Sequence, residues 1–309
     1  MCCLFGLVDY GRTLTTRQKN RILKILSIAC EARGTDATGI AYNSCGKLRI
    51  YKRPLPAHQL HIRIPEDVWT IMGHTRMTTQ GSQLYNRNNH PFSGHTKDGD
   101  FALAHNGVLY NDKYLRQSLG LPKTKIETDS YIAVQMIEKK ETLNFSSLRY
   151  MAEHVEGSFS FTILDSQDRL YLVKGNNPLC MYYFPTLGVY CYASTEEILK
   201  KAMDRLWLPA RQARRIEMDC GDILRIDRKG ILTRSRFDAF HLFPEYFDPF
   251  WRDPCCREKK VSNPAGNPYL EEIKSVASAF GYAPETIDRL AALGFSAEEL
   301  EEYLYCGEG

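Results

Sequence analysis

The second residue of the chain is a cysteine, and removal of Met1 would place a thiol and an α-amine on that one residue. An α-amine titrates near ~8, below a lysine, so part of it is unprotonated at neutral pH and can relay a proton to or from the sulfur. Such a nucleophile carries its own base and requires no neighbouring histidine. Four downstream segments add residue types suited to chemistry: the glycine-punctuated run from Glu31 to Ala41; Gly73 to Gly81, followed by Asn89-His90-Pro91-Phe92; His105-Asn106-Gly107; and Glu127-Thr128-Asp129-Ser130. Taken singly, Asn-Gly is a common turn, an arginine on a strand usually faces solvent, and Thr-Asp before a helix is a common cap. A nucleophile of this kind, however, works only with donors for the negative charge that develops on attack and with groups that grip the substrate. Those residue types are all present.

The elements that must position these residues are legible as periodicities. Cys3 to Val8 reads as a strand, and Ile22, Ile25, Leu26 and Ala29 fall at the spacing of one helical stripe. Short strands are expected at Ile40 to Asn43 and Leu48 to Arg53, around the turn Ser44-Cys45-Gly46, at Phe101 to His105, and at Ser158 to Ile163, where polar and apolar residues alternate. Helices are expected over Asp129 to Lys139, Ser146 to His154 and Thr195 to Met203. Further strands are read at Leu170 to Val173, Met181 to Phe184 and Val189 to Tyr192, and a hairpin joins Ile223–Ile226 to Ile231–Thr233 about Lys229-Gly230. This is an α+β body with many antiparallel pairings. It is expected to occupy residues 1–242.

From 243 to 267 the composition turns to proline, aspartate and aromatics, which reads as a linker or arm. Residues 268–309 read as an acidic three-helix module: Tyr269, Ile273, Val276, Ala277 and Phe280 share one face, Pro284 suits the first turn of a second helix to Leu293, and Ser296 can cap a third. The module carries net −7; since the chain totals +3, the remainder carries +10. Much of that excess lies between Lys200 and Arg236, with no nucleic-acid motif or stacking-aromatic pattern, so it reads as a solvated face or a docking surface for the acidic tail. No nucleic-acid partner is expected.

At 309 residues, 43% hydrophobic and 25% charged, the chain can bury a sizeable core. No stretch approaches the ~18 apolar residues of a membrane span, and the opening lacks the basic flank of a signal peptide. A cytoplasmic protein without a membrane partner is expected. Its ten cysteines include no CxxC pair and there is no HExxH, so no metal site is expected and most cysteines should be plain thiols.

The four segments, in this order behind Cys2, resemble the class II glutamine amidotransferases, the N-terminal-nucleophile glutaminase domains. The resemblance continues through Gly157-Ser158-Phe159, the turn Lys174 to Leu179, Tyr192 to Glu196 and Cys220 to Ile223, covering roughly residues 2 to 240. It implies the four-layer αββα sandwich of the Ntn-hydrolase type, with the small helical module appended. It also implies the roles of individual residues. Cys2 is then the nucleophile, with Asn106 and Gly107 as the oxyanion hole. Arg76 holds the substrate α-carboxylate, as a planar guanidinium suits. Asp129 holds the ammonium, Thr79 contributes to substrate binding, and Arg33 and Gly34 support the nucleophile. No cofactor is implied.

The sequence also departs from the family pattern. An aromatic commonly follows the arginine and a histidine precedes the final glycine of the second motif; here they are Met77 and Gln80. Tyrosines commonly flank the Arg-Gly pair; here Ala32 and Thr35 do. The expected substrate is therefore glutamine or a related small amide. Three readings follow: a glutaminase supplying ammonia to a separate acceptor enzyme docked through the C-terminal helices, since no acceptor domain is recognisable after residue 240; an autonomous hydrolase of a γ-glutamyl-type compound; and a non-catalytic binding module retaining the fold. His74, His90 and His105 raise a Cys-His dyad as an alternative base. The family position makes them supporting residues instead.

Overall fold

All seven residues of the first strand, β1 (Cys3–Asp9), are buried, because apolar material covers both of its faces. Cys3, Phe5 and Leu7 pack into one core cluster and Leu4 and Val8 into another, which explains an unbroken apolar run where a half-exposed strand would alternate. The computed structural model describes residues 2–206, 213–242, 273, 274, 277, 284–292 and 300. The chain divides into two units, Met1–Tyr246 and Phe247–Gly309.

The first unit holds helices α1 (Thr16–Ala29), α2 (Asp112–Ser118), α3 (Tyr131–Lys139), α4 (Phe145–His154) and α5 (Glu196–Leu206) and two sheets. One sheet combines β1 with β2 (Ala37–Ser44), β3 (Lys47–Arg53), β4 (Thr70–Arg76), β9 (Cys180–Phe184), β10 (Val189–Ala193) and β11 (Arg214–Ile216), in the order β11-β9-β10-β1-β4-β2-β3. The other is ordered β13-β12-β8-β7-β6-β5, from β5 (Phe92–Thr96), β6 (Gly99–Leu109), β7 (Gly157–Asp165), β8 (Leu170–Lys174), β12 (Asp222–Ile226) and β13 (Leu232–Arg236). The paired strands run antiparallel.

The layers follow from which side chains meet. Ile22, Leu23 and Leu26 of α1 and Leu199 and Ala202 of α5 pack with Phe5 and Leu7 on one outer face. Ile132, Met136 and Leu148 of α3 and α4 pack with Phe161 and Ile163 on the other. Between the sheets lie Leu4, Met72, Ala102, Ala104, Leu164 and Leu172. Each large aliphatic or aromatic side chain so buried contributes about 1.5–3 kcal/mol relative to exposure. The result is the four-layer αββα sandwich.

Helix ends follow local chemistry. Thr15 and Gln18 form a reciprocal capping box at α1, as Asn144 and Ser147 do at α4. The hairpin of β2 and β3 turns on Cys45 and Gly46, both at positive φ, as a two-residue hairpin turn requires. Three sequence expectations are corrected. β6 does not end at His105 but runs on through Asn106 and Gly107 to Leu109. The helix expected from Asp129 begins at Tyr131. β4, β5, β11 and α2 were not anticipated as elements.

In the second unit, α6 (Pro284–Ala292) lies where a helix from Pro284 is expected. Ile287 packs with Ile273, Ala277 and Leu300, and Lys274 pairs with Asp288 at 2.7 Å. The arm 243–267 and the rest of the expected three-helix module lie outside the described residues. Among the described residues no helix is long and apolar enough to cross a membrane.

Candidate active site

Cys2 immediately precedes β1, which is held at its start by two hydrogen bonds: the Leu4 amide donates to Ser194 Oγ at 2.8 Å, and the Ser194 amide to the Leu4 carbonyl at 2.9 Å. Arg33 Nε donates to the Cys2 carbonyl at 3.0 Å, anchoring the nucleophile candidate from the loop before β2. Gly34 lies against the backbone of Arg76 and Met77, where a Cβ would overlap both. Cys3 is fully buried beneath the helix-facing core while Cys2 is half-buried, so the register leaves Cys2 as the accessible thiol.

Cys2, Arg76, Thr79, Gly107 and Asp129 line a single cleft together with Met77 and Gln80. The two sheets supply opposite walls. Arg76 ends β4 of one sheet, Gly107 lies on β6 of the other, and Asp129 sits in the turn before α3. Asn106 precedes Gly107 with its side chain buried; its carbonyl accepts from Asn177 Nδ2 at 2.8 Å, whereas its own Nδ2 has no partner. An orphaned buried donor costs about 1–3 kcal/mol, a cost that a substrate oxygen would relieve. Gly107 has φ 144°, and a Cβ there would overlap the Ser158 carbonyl oxygen. Only glycine fits.

Arg76 is buried rather than solvent-facing. Its Nη1 donates to Asn89 Oδ1 at 2.6 Å, and its Nη2 to the carbonyls of Gln80 and Gly81 at 2.6 and 3.0 Å. Of its five N–H donors, Nε–H and one Nη1 hydrogen are left for a ligand. Asp129 is not a helix cap: its Oδ2 accepts the Leu109 amide at 2.6 Å, and its Oδ1 lies 3.4 Å from Ser130 Oγ, a long contact that leaves lone pairs for a cation. The sequence reading missed Asn88, Asn89 and Lys52. Asn88 Nδ2 joins the Ser82 carbonyl to Glu127 Oε2, and Lys52 Nζ donates to the carbonyls of Asn89 and Pro91 at 2.5 and 2.9 Å. Burial, helped by the Arg76 charge, draws the Lys52 amine down to about 8. The only available signal was the Asn-Asn pair ahead of His90, a polar doublet too common to carry a role by itself.

The histidines have other duties. A carbonyl only accepts, so the contacts of His105 Nε2 with the Ser158 carbonyl and His74 Nε2 with the His105 carbonyl place the proton on Nε2 of both rings. His105 Nδ1 then accepts from Ser130 Oγ at 2.8 Å, which occupies its remaining lone pair. His90 is sandwiched between His74 and Phe92, with neither ring nitrogen hydrogen-bonded. Burial depresses all three, His74 to about 3, so they are neutral near pH 7. The Cys2 thiol donates to the Met77 carbonyl at 3.4 Å, not to an imidazole. Burial pushes that thiol up from its ordinary value, so it needs a base. Among the described residues no group of three or more His, Cys, Asp or Glu is placed to hold a metal.

Beside the first cleft lies a second, lined by Glu31 to Asp36 with Met77 and Thr78. Met77, about half exposed, borders both. Ala32 and Thr35 leave this second cleft without aromatic cover.

Residues 74–201 match the family model described as a glutamine amidotransferase domain. The glutamine–fructose-6-phosphate aminotransferase (isomerizing) of Streptococcus agalactiae serotype III is 33% identical over 189 residues, covering 58% of this chain and 30% of that protein. Its counterpart from Sulfurisphaera tokodaii is 31% identical over 193 residues, covering 58% and 31%. The matched region thus spans under a third of those relatives. Among solved structures, glutamine phosphoribosylpyrophosphate amidotransferase from B. subtilis, complexed with ADP and GMP, superposes with a TM-score of 0.59 at 20% identity, over 77% of this chain and 49% of that one. The structure described as the allosteric regulatory enzyme of purine biosynthesis superposes with a TM-score of 0.61 at 20% identity and the same coverage. These two likenesses are of fold.

Proposed function

This chain carries a class II glutamine amidotransferase domain, and from that premise we propose that it hydrolyses the side-chain amide of glutamine to glutamate and ammonia with Cys2 as nucleophile. The observation that carries the reading is that Cys2, Arg76 and Asp129 line one cleft, which offers a thiol to the amide end of an α-amino acid amide and a cation and an anion to the carboxylate and ammonium at its other end. With Met1 removed, the Cys2 amine takes the thiol proton as sulfur attacks the amide carbon. The C=O electrons move to oxygen, where Asn106 Nδ2 and the Gly107 amide donate to it. Collapse expels the nitrogen, which leaves as ammonia with the proton carried by the amine. Water, deprotonated by the same amine, then cleaves the γ-glutamyl thioester and restores the thiol. Arg76 holds the α-carboxylate, Asp129 the ammonium, and Thr79 a further polar contact. Arg33 and Gly34 fix the backbone around the nucleophile.

Ammonia from this site would pass to a separate acceptor enzyme, with residues 268–309 as the docking module. The uncovered cleft at Ala32 and Thr35 favours a second reading, in which the amide bears a group larger than NH2, as in a γ-glutamyl compound. Both are tested by measuring ammonia and glutamate release from glutamine, and glutamate release from γ-glutamyl-anilide, by wild type and Cys2→Ala. Turnover of glutamine that vanishes in Cys2→Ala is expected. Preferential turnover of the anilide would replace the first reading with the second, and turnover of neither, alone or with co-purified protein, would leave a binding module.

A further inference from the structure

Helix α1 carries Arg17, Lys19, Arg21 and Lys24 and not one carboxylate. Lys19 is buried, donating to the carbonyls of Glu66 and Val68, but Arg17, Arg21 and Lys24 are exposed and follow one another at i, i+4 and i+7. Like charges at this spacing repel by a few tenths of a kcal/mol per pair, and Arg17 also opposes the positive end of the helix dipole. Nothing on the helix relieves either cost.

These three cations form one wall of a cleft that shares no lining residue with the one holding Cys2. Its other wall is the segment from His58 to Ile64, which brings His61 and Arg63 together with the apolar Leu60, Ile62 and Ile64. No carboxylate lines the cleft. Glu31 reaches its rim and binds His58 Nδ1 at 3.0 Å, but among the described residues no carboxylate pairs with Arg17, Arg21, Lys24, His61 or Arg63. The walls are fixed to each other: Asn20 Oδ1 accepts the Ile64 amide at 2.9 Å while its Nδ2 donates to the Thr16 carbonyl at 2.9 Å. The two segments that carry the cations are therefore tied together before a ligand arrives, which lowers the cost of binding.

We infer that this cleft is a binding site for a small molecule bearing two linked phosphoryl groups. From Arg17 to Lys24 the helix rises roughly 10 Å, too long a cationic run for a single phosphate and suited to a diphosphate. Guanidinium groups grip phosphoryl oxygens through paired N–H donors, and half-buried Ile62 offers an apolar contact for the remainder of the molecule. The site does not depend on the glutaminase reading, because binding is read without turnover.

Calorimetric titration of the full chain with inorganic pyrophosphate, and separately with orthophosphate, tests the inference. Pyrophosphate should saturate one site and bind about tenfold tighter than orthophosphate. The exposed double substitution Arg21→Ala/Lys24→Ala should weaken it by about tenfold or more. Lys123→Ala/Lys125→Ala, which removes the same charge elsewhere on the surface, should leave it within about twofold. Absence of saturable binding, equal affinity for the two anions, or equal loss in both double variants would overturn the site.

Discussion

Asn106 and Gly107 are neighbours with different tests. The Asn106 amide is buried with an unpartnered Nδ2, so if it meets an oxyanion only in the transition state, Asn106→Ala should lower kcat by about 100-fold, about 3 kcal/mol, with KM for glutamine little changed. Steady-state kinetics check this, and a rise in KM with kcat intact would assign Asn106 to ground-state binding instead. Gly107 is a backbone requirement: Gly107→Ala should fold poorly, because the new Cβ would collide with the Ser158 carbonyl, and its unfolding midpoint in urea would report that loss. Arg76 illustrates why a residue read singly misleads. An arginine on a strand usually reaches solvent, but Asn89 and two loop carbonyls supply acceptors inside the protein, and no local sequence pattern announces acceptors contributed by a loop that folds back.

At the scale of elements, the loop from Met77 to Pro91 holds Arg76, the proposed carboxylate clamp, in place. Asn89 fixes Arg76, Lys52 of β3 fixes the carbonyls of Asn89 and Pro91, and Asn88 ties the loop to Glu127, two residues before Asp129. Asn89→Ala should therefore raise KM for glutamine about tenfold, the worth of a charged hydrogen bond, while kcat at saturation changes much less. A KM for the variant equal to that of the wild type would remove Asn89 from this role. Most strands were legible because apolar residues either alternate or run unbroken in them, as at β7 and β1. The strands missed were those whose composition hides their burial: β4 is Thr-Ile-Met-Gly-His-Thr-Arg, fully buried but half polar, and β5 alternates buried with exposed residues over only five positions. Likewise Asn106-Gly107 reads as a turn, yet pairing with Ser160 and Phe159 carries β6 through it. Cross-strand pairing overrides turn preference.

Across the whole molecule, three neutral histidines packed at the joint of the two sheets link folding to pH. Burial lowers the folded-state values of His74, His90 and His105, so below the ordinary histidine value near ~6.5 the unfolded chain binds more protons than the folded one, and stability falls as pH falls. Between pH 7.5 and 5.5 His74, held down to about 3, should alone cost about 1.4 kcal/mol, with His90 and His105 adding in the same direction, read as a drop in urea unfolding free energy; a flat profile over that window would contradict it. Because burial makes those rings weak bases and the Cys2 thiol bonds to the Met77 carbonyl and to none of them, they leave the proton transfers of the proposed reaction to the α-amine of Cys2. The most direct test of that claim is intact-mass and peptide analysis of the full chain after incubation with a thiol-reactive glutamine analogue. The predicted result is a chain lacking Met1, with one adduct on Cys2 that excess glutamine suppresses. A chain lacking Met1 whose Cys2 remains unlabelled, or an adduct that forms while Met1 is still attached, would contradict it.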